Sequence, residues 1–329
     1  MGSEARSRAD LSLERILLRV SGVTRAAALR RRGAVPSRAA IALARAALAP
    51  WRWLTAARFF GVEHVPTDRP VVLAGNHTVM GLLDVPVMLL GLYERRRMWP
   101  RPLADHLHFH LPGWRELLQT YGAVEGTPER CRALMRAGES ILVFPGGGRE
   151  VFKRKGERYR LLWATRSGFA RLAIEHGYPI VPFAAVGAEE CYDILIDAGD
   201  LLRFVPPLRW LPRAEEVPPL VRGIGPTLLP RPERFYFHFG QPIETRHLMG
   251  LEGDERIVLA LREQVRAAVD AGIAFLLRER ERDPERALLA RVTAAVRGRS
   301  RTEPAAARHR KRSRAAAPEP RRRAAGEAS

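Results

Sequence analysis

The chain has 329 residues, 46% of them hydrophobic, enough to bury a full core in one large domain. Lys and Arg number 55 against 36 Asp and Glu, a net charge of +19, so its natural partners carry phosphates, on anionic lipid, a cofactor or nucleic acid. The two cysteines, Cys131 and Cys191, form no C-x-x-C pair, which argues against a disulfide framework or zinc site and fits a reducing cytoplasm.

The N-terminus has no uninterrupted apolar run of the secretory type. Residues 10 to 60 read as helical, and residues 1 to 60 as an amphipathic region ahead of the main domain. Its most apolar part, Arg38 to Phe60, is broken by Arg45, Arg52 and Arg58. A bilayer span needs about 20 mostly apolar residues, and each central arginine costs about 2.5 to 3.5 kcal/mol, so this stretch is not expected to cross a membrane. Two readings stay open: an interfacial helix lying on a membrane surface, or a helix packed on the domain with solvated arginines.

From Gly61 to about residue 282 the pattern is that of an α/β domain, short apolar runs alternating with amphipathic segments. Three runs end in loops of Gly and polar residues: Pro70 to Ala74 before Gly75-Asn76-His77, Ser140 to Phe144 before Pro145-Gly146-Gly147-Gly148-Arg149-Glu150, and Ile180 to Val186 before Gly187-Ala188-Glu189-Glu190. If these strands are parallel, all three loops emerge at one carboxyl edge, where open α/β sheets place ligands. Thr127-Pro128-Glu129 caps a helix that Gly138 stops, and Gly177 and Pro179 stop one beginning near Thr165. His106, His108 and His110 alternate like metal ligands on a strand, but without a Cys or carboxylate cluster of recognised spacing they indicate no metal. A strand is expected over Arg234 to Gly240, then a helix with Val258, Leu261, Val265, Val269, Ile273 and Leu276 on one face. Residues 283 to 329 read as a short helix and a basic tail, disordered from about Gly298. From Arg291 onward there are twelve Lys or Arg and three Glu, 12 − 3 = +9, with almost no large apolar residues.

Five blocks stand in a fixed order: Gly61-Val62-Glu63-His64-Val65-Pro66 leading to Asn76-His77; Tyr121-Gly122-Ala123-Val124; Phe144-Pro145-Gly146-Gly147-Gly148-Arg149-Glu150; Val181-Pro182-Phe183-Ala184-Ala185-Val186-Gly187; and Phe239-Gly240-Gln241-Pro242-Ile243. Over Gly61 to Ile243 this series resembles the glycerolipid and lysophospholipid acyltransferase superfamily. The Pro-Gly-Gly-x-Arg-Glu block looks like the branch of mono- and diacylglycerol acyltransferases and plant phytyl ester synthases. Phosphate-handling relatives usually carry Pro-Glu-Gly-Thr-Arg there.

The resemblance implies a mixed, largely parallel sheet flanked by helices, and an O-acyltransferase acting on a lipid acceptor with an acyl thioester donor. Acyl-CoA or acyl carrier protein would be a co-substrate, with no resident cofactor or metal, on a cytoplasmic membrane surface. It gives His77 the role of base for the acceptor hydroxyl. The thioester needs little help, since a free thiol has a pKa of about 8.5 and leaves readily. The superfamily usually places an Asp five residues after this His, where this chain has Leu82; the acid is Asp84, seven residues on. Seven residues span about 10.5 Å in one helix, so either the chain bends near Gly81 and Asp84 orients His77, or another acid does, Glu150 and Glu189 being the next candidates. Gly146, Gly147 and Gly148 would offer N–H groups to an oxyanion or phosphate, with Arg149 and Glu150 beside the donor or substrate. The bland alternatives are a tight turn and an Arg149 ion pair. Lys153, Arg154, Lys155, Arg158 and Arg160 read by default as a solvated run, with donor or membrane contact the alternative because the run stands beside the site. Absence of a G-x-S-x-G elbow argues against a serine hydrolase. Two further readings stand beside this one: a lysophosphatidate acyltransferase, and a nucleic-acid-binding protein, for which no recognised DNA- or RNA-binding motif is present.

Overall fold

The computed structural model describes residues 36 to 301, apart from 80, 206, 208, 209 and 211 to 216. The readings made on residues 10 to 35 and on the tail beyond 301 fall outside these. Up to Asp283 the chain forms one compact unit, and Pro284 onward forms another.

The first unit is built on a seven-stranded sheet. In chain order its strands are β1 (Arg58–Phe60), β2 (Val72–Gly75), β3 (Arg101–Ala104), β4 (Val124–Glu125), β5 (Ile141–Val143), β6 (Ile180–Val186) and β9 (Tyr236–Phe239), arranged β1-β9-β6-β2-β5-β3-β4. From β6 to β4 every pairing is parallel, while β9 runs antiparallel to β6 and parallel to β1. This is the mixed, largely parallel sheet that the family resemblance implied. A small antiparallel pair, β7 (Asp193–Ile196) with β8 (Leu220–Arg222), stands apart from it.

β2, β5 and β6 are buried throughout because both sheet faces are covered. Alternation sends Val72 and Ala74 to one core with Ile141, Val143 and Ile180, and Leu73 to the other with Leu142, Val181 and Phe183. The long helix α8 (Glu255–Arg282) covers the first face with Val258, Leu261, Val265, Val269, Ile273 and Leu276, all buried as their spacing implied. A β-carbon at Gly272 would sit 3.0 Å from Ala184, so this helix lies close on β6. Helix α2 (Val85–Arg96) covers the second face through Val87, Met88 and Leu90.

The N-terminal helix α1 (Arg38–Thr55) packs on the domain. Ile41 is buried, Trp51 Nε1 donates to the Leu83 carbonyl at 3.0 Å, and Arg45 and Arg52 bond Glu94. Its outer side exposes Leu43 and Trp53. The helical reading through residue 60 needs correction. Ala56 turns left-handed and closes α1, and residues 58 to 60 enter the sheet against β9, because an Arg-Phe-Phe triplet serves a strand as well as a helix. No helix among the described residues is long and apolar enough to cross a membrane.

Helices α3 (Trp114–Thr120), α4 (Pro128–Arg136), α5 (Gly147–Val151), α6 (Gly168–His176) and α7 (Ala198–Phe204) complete the unit. Thr127 caps α4 as read, its hydroxyl accepting from the Arg130 N–H. In the second unit α9 spans Leu288–Arg301, so helix continues past Gly298, where disorder was expected; Ala290, Ala294 and Ala295 earlier in it favour helix.

Candidate active site

The parallel registers Val72↔Ile141 and Val72↔Ile180 bring the ends of β2, β5 and β6 to one sheet edge. There the loops carrying His77, Glu150 and Glu189 meet. Asn76 is buried and bonds β6 as a further strand residue would: Nδ2 donates to the Ala185 carbonyl at 3.0 Å and Oδ1 accepts from the Ala185 N–H at 2.8 Å. That pair of hydrogen bonds fixes where the next residue starts. The His77 ring stacks on Phe144 at 4.0 Å between centroids, and its Nδ1 is buried with no hydrogen-bond partner.

Glu150 is fully buried, and both of its carboxylate oxygens are taken by main-chain donors. Its Oε2 accepts from the His77 N–H at 2.7 Å and its Oε1 from the Leu162 N–H at 2.8 Å. In this position, set by α5 directing it inward, Glu150 braces the loop that carries His77. A β-carbon at Gly146 would collide with the Glu150 carboxyl, which explains glycine there. Lys153, read by default as solvated, is 1% exposed. Its ammonium pairs with Glu189 and reaches the His77 carbonyl at 3.3 Å. Glu189 also accepts from the Tyr159 N–H at 2.7 Å, while the Tyr159 hydroxyl bonds Glu190 and takes the Gly187 N–H at 3.1 Å. Burial raises the pKa of Glu150 and Glu189, with Lys153 opposing it in both.

Burial, then the positive charge of Lys153 and then His108, lowers the His77 pKa to about 3. The imidazole is therefore neutral at physiological pH, the form a general base requires. Asp84 is not bonded to it. The chain does turn at Gly81, whose N–H meets the Thr78 carbonyl at 3.0 Å with φ at +58°, and Asp84 sits at the start of α2. Its carboxylate accepts instead from the Thr78 hydroxyl at 2.9 Å. Burial raises its pKa to about 6 despite that bond. Thr78 thus holds the carboxylate that the resemblance had paired with His77.

The glycine loop is a strand-to-helix turn. The Gly147 N–H donates to the Phe144 carbonyl at 2.9 Å, so it is already engaged, and Arg166 bonds the Gly146 carbonyl. Arg149 pairs with Glu157 at 2.6 Å through Nη2, leaving Nη1 buried without a partner. Two further residues of the basic run are paired, Lys155 with Asp200 at 2.7 Å and Arg158 with Asp193 at 3.5 Å. His106, His108 and His110 fall in and just after a 3₁₀ turn, where His108 accepts from Trp114 Nε1 at 3.1 Å. No group of residues among those described could hold a metal ion.

Residues 57–186, which include His77, Asp84 and the Gly146–Glu150 loop, match the Acyltransferase family model. These residues form an acyltransferase domain. Phytyl ester synthase 1, chloroplastic, of Arabidopsis thaliana is 31% identical over 252 residues, covering 70% of this chain and 36% of that protein. The human "DGAT1/2-independent enzyme synthesizing storage lipids" is 32% identical over 122 residues, 37% of each chain. The chain thus spans only about a third of the length of these relatives. Among solved structures, the 1-acyl-sn-glycerophosphate (LPA) acyltransferase PlsC of Thermotoga maritima aligns over 65% of this chain and 71% of its own, with TM-score 0.39 and 16% identity. Thr78 and Tyr159 were not singled out by sequence, and Lys153 was named only as part of the basic run.

Proposed function

We propose that the acyltransferase domain moves an acyl group from a thioester, acyl-CoA or acyl carrier protein, to the hydroxyl of a neutral glycerolipid or long-chain alcohol. The observation that carries this reading is His77, gripped through its own main chain at the carboxyl edge of an acyltransferase-family sheet. His77 accepts the hydroxyl proton as the oxygen adds to the thioester carbonyl. The tetrahedral intermediate then collapses, the carbon–sulfur bond breaks, and the thiolate takes up a proton, leaving an ester and a free thiol. Asp84 acts as the orienting acid once the Thr78 bond is exchanged for one to Nδ1. The Gly148 N–H is the candidate oxyanion donor, since that of Gly147 is engaged. No resident cofactor enters the reaction.

A neutral acceptor is supported by Gly146 and Gly148, which replace the polar side chains of phosphate-handling relatives. The names of the plant and human relatives point the same way. A buried polar group adapted to a phosphate would be left unpaired by a neutral acceptor, and this loop has fewer of them. The lysophosphatidate alternative rests on the unpartnered Nη1 of Arg149, which could equally hold a donor phosphate. One labelled acyl-CoA offered with monoacylglycerol, diacylglycerol, a fatty alcohol and lysophosphatidate decides between them. Higher kcat/KM on a neutral acceptor is expected, and preference for lysophosphatidate overturns that choice while leaving acyl transfer standing. The exposed Leu43 and Trp53, with the basic surplus, support peripheral attachment of the domain to an anionic membrane. High salt should then release it, and resistance to both salt and alkaline washing counts against this.

A further inference from the structure

Lys153 lies in the turn after α5, three residues beyond Glu150, with its ammonium almost wholly removed from solvent. An uncompensated ammonium in such a place is strongly destabilising, so its partners matter. One is the Glu189 carboxylate from the loop after β6, and the other is the main-chain carbonyl of His77. The His77 N–H is held at the same time by Glu150. Both polar main-chain groups of His77 are therefore taken by side chains three positions apart. Glu189 is fixed in turn by the Tyr159 N–H. An ion pair needed only to join two loops would have no reason to include the carbonyl of His77.

We infer that Lys153, held by Glu189, is a positioning residue for acyl transfer: it fixes the His77 carbonyl as Glu150 fixes the N–H, setting the peptide plane from which the imidazole projects. This rests on His77 being the base. Misplacing a reacting group by about 1 Å can cost about 10² in rate, so the grip acts on turnover more than on substrate affinity. The ammonium also acts electrostatically. The charged or titratable groups in the loops around the ring are Lys153, Glu150, Glu189, Asp84 and His108. After burial, Lys153 contributes most to keeping His77 neutral, followed by His108.

The test is the double variant Lys153→Met with Glu189→Gln, in which the ion pair is removed as a unit and the new amide oxygen still offers an acceptor to the Tyr159 N–H. Melting temperature, kcat, KM and the pH profile are measured for it, for wild type and for His77→Ala. A folded double variant should show kcat reduced about 10- to 100-fold with KM within about threefold. Its acid limb should move to higher pH, because a positive charge that disfavoured imidazolium has gone. A folded variant with kcat within about threefold of wild type and an unmoved limb overturns the inference. Should the double variant not fold, Lys153→Arg carries the test. Its larger planar head keeps the charge but cannot hold the carbonyl in the same place, so kcat falls at constant KM, and wild-type kcat overturns the inference. Activity surviving in His77→Ala removes the base itself. An inactive His77→Ala beside a fully active double variant removes only the role of Lys153.

Discussion

Glu150→Gln changes one atom and should damage the site from within. In the wild type two carboxylate oxygens accept two backbone N–H groups, from His77 at 2.7 Å and Leu162 at 2.8 Å. Glutamine has one acceptor oxygen. Whichever way its amide turns, an NH₂ group faces a buried N–H, and one main-chain donor is left unpaired. Leaving such a donor unsatisfied costs about 1 to 3 kcal/mol. Removing a buried carboxylate, whose pKa burial already raises, returns part of this, so the net loss should fall in the lower half of that range. In a domain of this size about 1 kcal/mol shifts the melting temperature by about 2 to 4 °C, so a drop of a few degrees is expected in calorimetry. Where the NH₂ group faces the His77 N–H, kcat should fall about tenfold or more while KM stays nearly constant. An unchanged melting temperature with unchanged kcat would show that Glu150 is protonated or not needed as a double acceptor. A rise in KM alone would return it to the substrate-binding role first expected of it.

Two other outcomes follow from the same geometry. An ordinary histidine titrates near 6.5, whereas His77 is held to about 3, so it stays neutral well below neutrality and the His77-dependent acid limb of kcat/KM should lie well under pH 6; a limb near 6.5 refutes the burial argument. Gly81→Ala introduces a β-carbon against His77 Cε1 at a residue with φ of +58°, so activity should fall at least about tenfold with about 1 to 3 kcal/mol of lost stability, and wild-type turnover would show that the ring is free to move aside.

Much of the sheet was legible because β2, β5 and β6 are covered on both faces, and burial on both sides produces unbroken apolar runs that end abruptly in glycine and polar residues. The face of α8 and the cap at Thr127 were legible for equally local reasons. β1 was not, because three residues carry no period, and what makes them a strand is β9, about 180 positions away. His77 was found through its place in an ordered series of motifs, since a single histidine has no distinguishing local signal. The bracing network escaped the reading because a lysine in a basic run looks the same in sequence whether it is solvated or, like Lys153, paired inside the protein. Asp84 shows the limit of spacing: the turn at Gly81 was foreseeable, but the Thr78 hydroxyl that takes the carboxylate depends on tertiary placement.

The central claim, that His77 is the base of an acyl transfer, is tested most directly by His77→Ala assayed with labelled acyl-CoA and the preferred acceptor. General-base catalysis is worth about 10²- to 10⁴-fold, so a variant with the wild-type melting profile should lose at least about 99% of turnover. Retention of more than about a tenth of the activity by the folded variant contradicts the account.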